Sequence, residues 1–281
     1  TRSLTQLKKL SHLQKTSFSF EFDRLVFGER GTSTLCLKRY VEKFSCLKSS
    51  RVLIQGCGLG QESIEWSKLG AAACVGIDKF NFKNGWKIVS DSIDSADISF
   101  IQGDICDTTL PDNSFDIISS GAVWEHVSNF DQLLQESVRL MKPDGIVASS
   151  FGPLWFTFGG DHFSGFDELS NGYNHLLLSK SDYLDWVDSV PIQDNWATSK
   201  DSYFEIRRHI HEGMFSYLKP REYIESIDEN FERSFTMVVI SPEALKFKTT
   251  FPDKWKKLLD VEGVTEEDLL IKTLIVILKQ H

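Results

Sequence analysis

From residue 51 onward, short apolar segments alternate with amphipathic helical patterns, and this alternation limits the fold more than any other feature of the chain. The segments that we predict as strands are, in order, "RVLIQG", "ACVGID", "ISFIQGD", "SFDIISSGAV", "GIVASSF", "FTMVVI" and Thr273–Leu278. Helical patterns such as "QESIEWSKLG" and "NFDQLLQESVRLM" lie between them, and we expect the second of these to end before Pro143. Strands that alternate with helices favour a mostly parallel sheet with helices on both faces. The sequence therefore predicts an α/β fold with seven strands.

The first predicted strand runs into three glycines, Gly56, Gly58 and Gly60, directly before a helical pattern. Glycines between a strand and a helix let the backbone pass close to a bound nucleotide. Dinucleotide enzymes use GxGxxG, whereas the spacing here is GxGxG, which argues against an NAD-dependent oxidoreductase. Asp78 ends the second strand, where it can accept hydrogen bonds from both hydroxyls of a ribose. Asp104 ends the third strand, where it can meet an adenine amino group.

Composition and charge bear on the partners of the chain. With 40 acidic and 31 basic residues the net charge is -9, and there is no long basic run. Neutralising a phosphate backbone needs clustered Lys and Arg, so we expect no nucleic acid partner. The sequence has no run of 18 apolar residues and no apolar signal core at its amino terminus, so we expect no membrane partner and a cytoplasmic location. The five cysteines lack CxxC or Cys/His spacing, which predicts packed thiols and no metal.

No internal repeat or flexible linker divides the chain, so we predict a single domain over 1–281. Its predicted parts are N-terminal helices (1–50), a nucleoside-binding core (51–151), a substrate-side insertion (152–200) and the C-terminal part of the sheet (201–281). The insertion breaks the alternation and is rich in aromatic residues, Gly, Asp and Ser. Such composition is typical of a loop that covers a substrate, and we expect it to be more mobile than the sheet without ligand.

Five signals occur in order along residues 52–151: "GCGLG", "GID", "GDI", "FDIISSGAVWEHV" and "LMKPDGIV". With them the sequence resembles the class I S-adenosylmethionine-dependent methyltransferases. The resemblance implies a Rossmann-like fold with a seven-stranded, mostly parallel sheet, helices on both faces and an antiparallel last strand. It also implies S-adenosylmethionine as the cofactor.

The resemblance further implies which residues bind that cofactor. They are Arg30, Gln55, Gly56, Gly58, Gly60, Asp78, Asp104, Ile105 and Ser120. In this scheme the glycines pass the cofactor's backbone, Asp78 holds the ribose, and Asp104 with Ile105 frames the adenine. The backbone around Ser120 lies near the methionine part, and Arg30 either pairs with the methionine carboxylate or is an exposed loop arginine. The family commonly has an acid at the position of Gln55, so Gln55 is expected to organise the loop and the cofactor's amino group less strongly.

The segment "FGPLWFTFGGDHFSGF", residues 151–166, follows the fifth strand and is the expected place for a catalytic base. A hydroxyl acceptor must lose a proton during methyl transfer, and histidine is the usual base because its unperturbed pKa lies near ~6.5. Gly159 and Gly160 allow a sharp bend that presents Asp161 and His162 among aromatic rings. We predict His162 as the general base, with Asp161 or a carboxylate from elsewhere orienting its ring. The loop is similar to segments of some small-molecule O-methyltransferases from natural-product and glycan pathways.

Other histidines compete for that role. His126, in "WEHV", is the main alternative base, although it also suits the start of a helix, and His175 is a candidate for the pocket wall. His209 and His211 lie beside two arginines; that cluster suits a metal, an acceptor anion or, most simply, a solvated helix face.

These patterns predict an S-adenosylmethionine-dependent methyltransferase, O-directed, for a small or medium-sized acceptor. A sugar, a polyketide or another hydroxyl compound suits the aromatic loop. The alternative is a non-catalytic methyltransferase-like binding or regulatory protein, which Gln55 favours and the acids at 78 and 104 disfavour.

Overall fold

The computed structural model describes residues 41–93, 97–191 and 200–281. Arg30 and most of the predicted N-terminal helices lie outside these residues. Among the described residues, no helix is long and apolar enough to cross a membrane.

The described strands form one seven-stranded sheet. They are β1 (Arg51–Gln55), β2 (Ala73–Asp78), β3 (Asp97–Gln102), β4 (Phe115–Gly121), β5 (Met141–Phe151), β6 (Glu232–Ile240) and β7 (Ile271–Lys279). Their order is β3-β2-β1-β4-β5-β7-β6. The pairs among β1 to β5 are parallel, and β7 is antiparallel to both β5 and β6. The predicted fold class, including the antiparallel last strand, is confirmed.

Helices flank the sheet. Among the described residues they are α1 (Gln61–Lys68), α2 (Lys83–Asp91), α3 (Phe130–Leu140), α4 (Asn174–Leu177), α5 (Lys180–Ser189), α6 (Lys200–Glu212), α7 (Pro220–Asn230), α8 (Pro242–Thr250), α9 (Pro252–Leu259) and α10 (Glu266–Leu270). Two short 3-10 helices, Trp124–His126 and Leu169–Asn171, lie in the loops. The sequence predicts that α3 reaches Met141, but α3 ends at Leu140 and β5 begins at once. Pro143 lies inside β5, next to a register shift against β4, where a strand tolerates a residue without an N–H.

The side chains of alternating strand residues belong to two separate apolar clusters, one on each face of the sheet. Leu53 and Ile118 point to the face covered by α3 and α7. Val52 and Ile117 point to the opposite face, where Trp66 of α1 packs. Such burial on both faces is expected of a parallel sheet between two helix layers.

The segment after β5 shares two further clusters with the C-terminal part of the chain. Phe158 and Tyr173 pack with Phe247 of α8, and Phe163 packs with Phe215 beyond α6. The segment thus lies against the C-terminal helices. The single-domain division and the greater mobility of this segment stay predictions.

The sheet order also fixes where a ligand can bind. From β1 the chain runs outward through β2 and β3, then crosses back to β4 on the other side of β1. The carboxyl ends of β1 and β4 therefore diverge at a crevice, which is where open α/β sheets bind ligands.

Candidate active site

A cleft of about 590 Å³ opens at this crevice. Its lining includes five residues that the sequence singles out: Gly56, Asp78, Asp104, Ile105 and His126. Phe80, Cys106, Ala122, Val123, Asn129, His209 and Met214 are among the others. The acids and Gly56 come from the ends of β1 to β3, and the histidines come from the loop after β4 and from α6.

The glycine loop takes a conformation that side chains resist. Gly56, Gly58 and Gly60 have φ values of +66°, +49° and +88°. A Cβ atom at Gly56 would lie 2.3 Å from Val123, and one at Gly60 would lie 2.6 Å from the Phe100 ring. A Cβ at Gly58 would meet nothing within 4 Å, so only its backbone conformation requires glycine.

Asp78 holds this loop to the end of β2. Its Oδ2 accepts a hydrogen bond of 2.8 Å from the Gly58 N–H, and its Oδ1 accepts one of 2.9 Å from the Phe80 N–H. Each carboxylate oxygen has a further lone pair for a ligand hydroxyl. Asp104 is arranged similarly, with Oδ1 accepting from the Cys106 N–H at 2.9 Å. The two acids are thus oriented by backbone donors before any ligand binds.

Two predicted cofactor residues face the core instead of the cleft. The Gln55 side chain is 1% exposed; it donates to Ser137 Oγ at 2.9 Å and accepts from Trp124 Nε1 at 3.2 Å. The Ser120 side chain is also 1% exposed and bonds the Gln55 carbonyl at 3.5 Å. Gln55 therefore organises the core beneath the loop, and only the backbone near Ser120 is left for a ligand contact.

Two histidines, His126 and His209, line the cleft, and we call the part of the cleft around them the histidine end. The ring centroids of His126 and His162 are 4.8 Å apart, and those of His126 and His209 are 5.3 Å apart. His126 is one of the residues that line the cleft, whereas His162 is not, and the Nε2 atom of His162 is buried. Glu125 completes the group: its ligand atom and those of His126 and His162 lie within 4.8 Å of one another.

Burial dominates the electrostatics of this group. It lowers the pKa of His126 to about 4, against a hydrogen bond to the Met214 carbonyl that raises the pKa. Burial, together with the neighbouring His126, lowers the pKa of His162 to about 3, although Asp161 opposes the shift. Burial raises the pKa of Glu125 to about 7. Both imidazoles are therefore neutral at neutral pH, with a lone pair available.

Asp161 is engaged away from His162. Its oxygens accept from Ser164 Oγ at 2.6 Å and from Tyr183 Oη at 2.5 Å, as well as from the backbone N–H groups of Phe163 and Ser164. Its carboxylate also lies 3.8 Å from His175 Nδ1. A carboxylate with this many donors secures the loop. Glu125, which sequence reasoning noticed only as the neighbour of His126, is the carboxyl group that lies with the two imidazoles.

Two further histidines that the sequence singles out, His175 and His211, have structural partners. His175 bonds the Trp155 carbonyl through Nε2 at 2.8 Å, which ties α4 to the loop. His211 pairs with Asp188 at 2.9 Å on the surface. Of the pair on α6, only His209 reaches the cleft, and the sequence could not separate the two because the difference depends on how α6 packs.

Residues 53–149 match the family described as "Methyltransferase domain". The match runs from β1 to β5 and contains the glycine loop, both acids and His126. The family match and the geometry of the cleft thus fall on the same part of the chain.

Curated relatives are similar over part of their length. A malonyl-[acyl-carrier protein] O-methyltransferase of Calditerrivibrio nitroreducens is 28% identical over 60% of this chain and 63% of the relative. The sterol 24-C-methyltransferase erg6 of Aspergillus fumigatus is 26% identical over 46% of this chain and 35% of the relative. The chain thus spans about one third to just under two thirds of the length of these relatives.

Among solved structures, an S-adenosylmethionine-dependent methyltransferase from Methanosarcina mazei superposes with a TM-score of 0.52. The match covers 86% of this chain and 96% of that one, at 14% identity, and so shows a shared fold. With the sheet order, the glycine loop, the two acids and the family match in agreement, residues 53–149 carry a methyltransferase domain, and the described fold is one that S-adenosylmethionine-dependent methyltransferases share.

Proposed function

We propose that this protein transfers the methyl group of S-adenosylmethionine to a small-molecule acceptor bound at the histidine end of the cleft. The cofactor lies over the glycine loop, with its ribose on Asp78 and its adenine between Asp104 and Ile105. The observation that carries the proposal is the cleft itself, since Asp78, Asp104 and Ile105 line it together with His126 and His209.

Methyl transfer from a sulfonium is an in-line displacement, so the enzyme chiefly aligns the acceptor and excludes water. The aromatic surroundings of the histidine end suit both tasks. Phe215 packs 5.2 Å from the His126 ring and 5.8 Å from the His162 ring, measured between centroids. Phe80, Val123 and Met214 line the cleft itself, so an acceptor that binds against them replaces water at apolar surfaces.

We further propose O-methylation with a histidine as the proton acceptor. His126 lines the cleft and is placed to take the proton of an acceptor hydroxyl. His162, the base predicted from sequence, packs against the His126 ring and helps to hold it in place. Two neutral imidazoles favour a hydroxyl acceptor, because carbon and amine acceptors need less help from a base. A sugar, a polyketide or another hydroxyl compound remains the proposed acceptor class; the relatives include both O- and C-methyltransferases.

Calorimetry with S-adenosylmethionine and a mass-spectrometric screen of hydroxyl acceptors test the proposal together. Binding of the cofactor and a product heavier by one methylene unit are expected. Absence of cofactor binding would overturn it. Binding with no product on any acceptor would instead favour the non-catalytic alternative.

A further inference from the structure

Three side chains at the histidine end of the cleft converge as a set of ligand atoms. Glu125, His126 and His162 each offer one atom, and these atoms lie within 4.8 Å of one another. Glu125 comes from the 3-10 helix after β4 and is 1% exposed, whereas His162 comes from the loop after β5. Two segments distant in sequence thus bring a buried carboxylate and two imidazoles to one point.

Each of the three groups is fixed by the backbone on its other side. His126 Nδ1 lies 2.9 Å from the Met214 carbonyl, which can only accept, so Nδ1 carries the hydrogen and Nε2 keeps the lone pair. His162 bonds the Pro153 backbone, and its buried Nε2 has no partner. Glu125 Oε1 accepts from the Gly152 N–H at 3.0 Å, and its buried Oε2 also has no partner.

This pattern is that of metal ligands. A metal-bound histidine typically donates its second ring N–H to a carbonyl or a carboxylate, which fixes both tautomer and orientation. Unpartnered polar atoms inside a protein are rare, because each lacks the interactions it had with water. Glu125 and His162 each have such an atom, and both residues belong to the cluster that includes His126, so the three call for a shared partner.

We propose that Glu125, His126 and His162 form a binding site for a divalent transition-metal cation. Two imidazoles and one carboxylate suit Zn²⁺, Co²⁺ or Fe²⁺, whereas Mg²⁺ and Ca²⁺ prefer oxygen ligands alone. Three protein ligands leave coordination positions open, and the site adjoins the cleft, since His126 lines it. The site departs from the expectation of no metal, which rested on the cysteine spacing, because its ligands come from two segments that only the fold brings together.

The cation site rests on the proposed function in one respect, the deprotonation of the acceptor. With the cation bound, the imidazole lone pairs are occupied, and the histidine base described above belongs to the metal-free protein. An acceptor hydroxyl on an open position is acidified by the cation, as a metal-bound water is. Its proton passes to water, the new O–C bond forms as the S–C bond breaks, and S-adenosylhomocysteine leaves.

Titration of the metal-free full chain with Co²⁺, followed by visible absorption, tests the site without any turnover. We expect d–d bands that saturate at one Co²⁺ per chain. Glu125→Gln and His162→Ala should each weaken Co²⁺ binding by at least about tenfold, since each removes a ligand. Glu125→Gln keeps the acceptor for the Gly152 N–H, so it preserves the local fold if His162→Ala does not. His211→Ala, which removes a surface imidazole, should bind Co²⁺ as the unaltered protein does.

Absence of Co²⁺ bands in the unaltered protein, or equal binding in Glu125→Gln, would overturn the metal site. Calorimetry with S-adenosylhomocysteine and methyl transfer in EDTA are measured in parallel. If the metal site fails while cofactor binding and turnover persist, the proposed function stands. If Co²⁺ binds but cofactor does not, the metal site stands and the proposed function fails.

Discussion

Two loops of this molecule contain residues with positive φ values, but the residue types at those positions differ. In the cofactor loop, positive φ values fall on glycines, Gly56 to Gly60. In the loop after β5, residues 152–166, which we call the acceptor loop, they fall on three glycines, Gly152, Gly159 and Gly165, and also on His162, at +60°. A non-glycine residue held there costs about 1–3 kcal/mol, and such residues cluster at functional sites. The cofactor loop has glycine at each of these positions, whereas the acceptor loop holds a histidine side chain at one of them.

The largest difference between the two loops is expected in the turnover of a variant of the acceptor loop. His162→Ala should lower turnover by about 10²–10⁴-fold, the usual contribution of a residue that assists proton transfer, with cofactor affinity nearly intact. Steady-state kinetics and calorimetry on the same preparation check both halves of this statement. His211→Ala is the control, and near-normal turnover in His162→Ala would remove that residue from the chemistry.

The next effect is on stability and lies in the cofactor loop. Gly60→Ala should lower the free energy of unfolding by about 3 kcal/mol, the sum of left-handed strain and overpacking. The Phe100 ring that it meets is stacked on Trp86, with centroids 5.5 Å apart, and cannot yield freely. Gly58→Ala, with nothing within 4 Å, should lose only about 1 kcal/mol. Equal urea midpoints for the two variants would refute the role of Phe100.

Asp78 gives a smaller effect, on affinity. Asp78→Ala should weaken cofactor binding by about 10- to 100-fold, since the ribose contact and the anchor of the Gly58 N–H are both lost. Asp78→Asn keeps one acceptor oxygen and should fall between the two proteins. Calorimetry with S-adenosylhomocysteine measures the series, and unchanged affinity in Asp78→Ala would place the ribose elsewhere.

The smallest effect concerns the support of the acceptor loop. Tyr183→Phe removes one donor to Asp161 but leaves those of Ser164 and Phe163, so unfolding should become easier by about 1 kcal/mol. Tyr217→Phe, at a residue 43% exposed, is the matched control. A thermal or urea unfolding series that ranks the control as equally damaging would contradict the anchoring role of Asp161.

The same contrast explains what the sequence could and could not predict. Glycines and strand-ending acids are local signals, so the loop at Gly56 and the places of Asp78 and Asp104 at the cleft are visible in the primary structure. The direction in which Gln55 points is not, because it depends on Trp124 and Ser137, far along the chain.

For the histidines, the sequence indicated His162 and His126 but left the orienting carboxylate open between Asp161, the neighbour of His162, and a carboxylate from elsewhere in the fold. The structure brings in Glu125, through the pairing of β4 with β5. It also brings His209 to the cleft through α6, which the sequence reading did not predict. Contacts between segments distant in sequence are set by packing, and no spacing within either segment encodes them.

The place of β7 in the sheet sets an order of events during synthesis. β6 precedes β7 in the chain, yet in the order β5-β7-β6 it joins the described sheet only through β7. Until β7 has left the ribosome, β6 has no neighbour to pair with. Its residues Phe235, Met237 and Val238, buried in the finished fold, stay open to solvent and to other chains in that interval. We therefore expect aggregation during production to depend on how fast these last two strands are delivered.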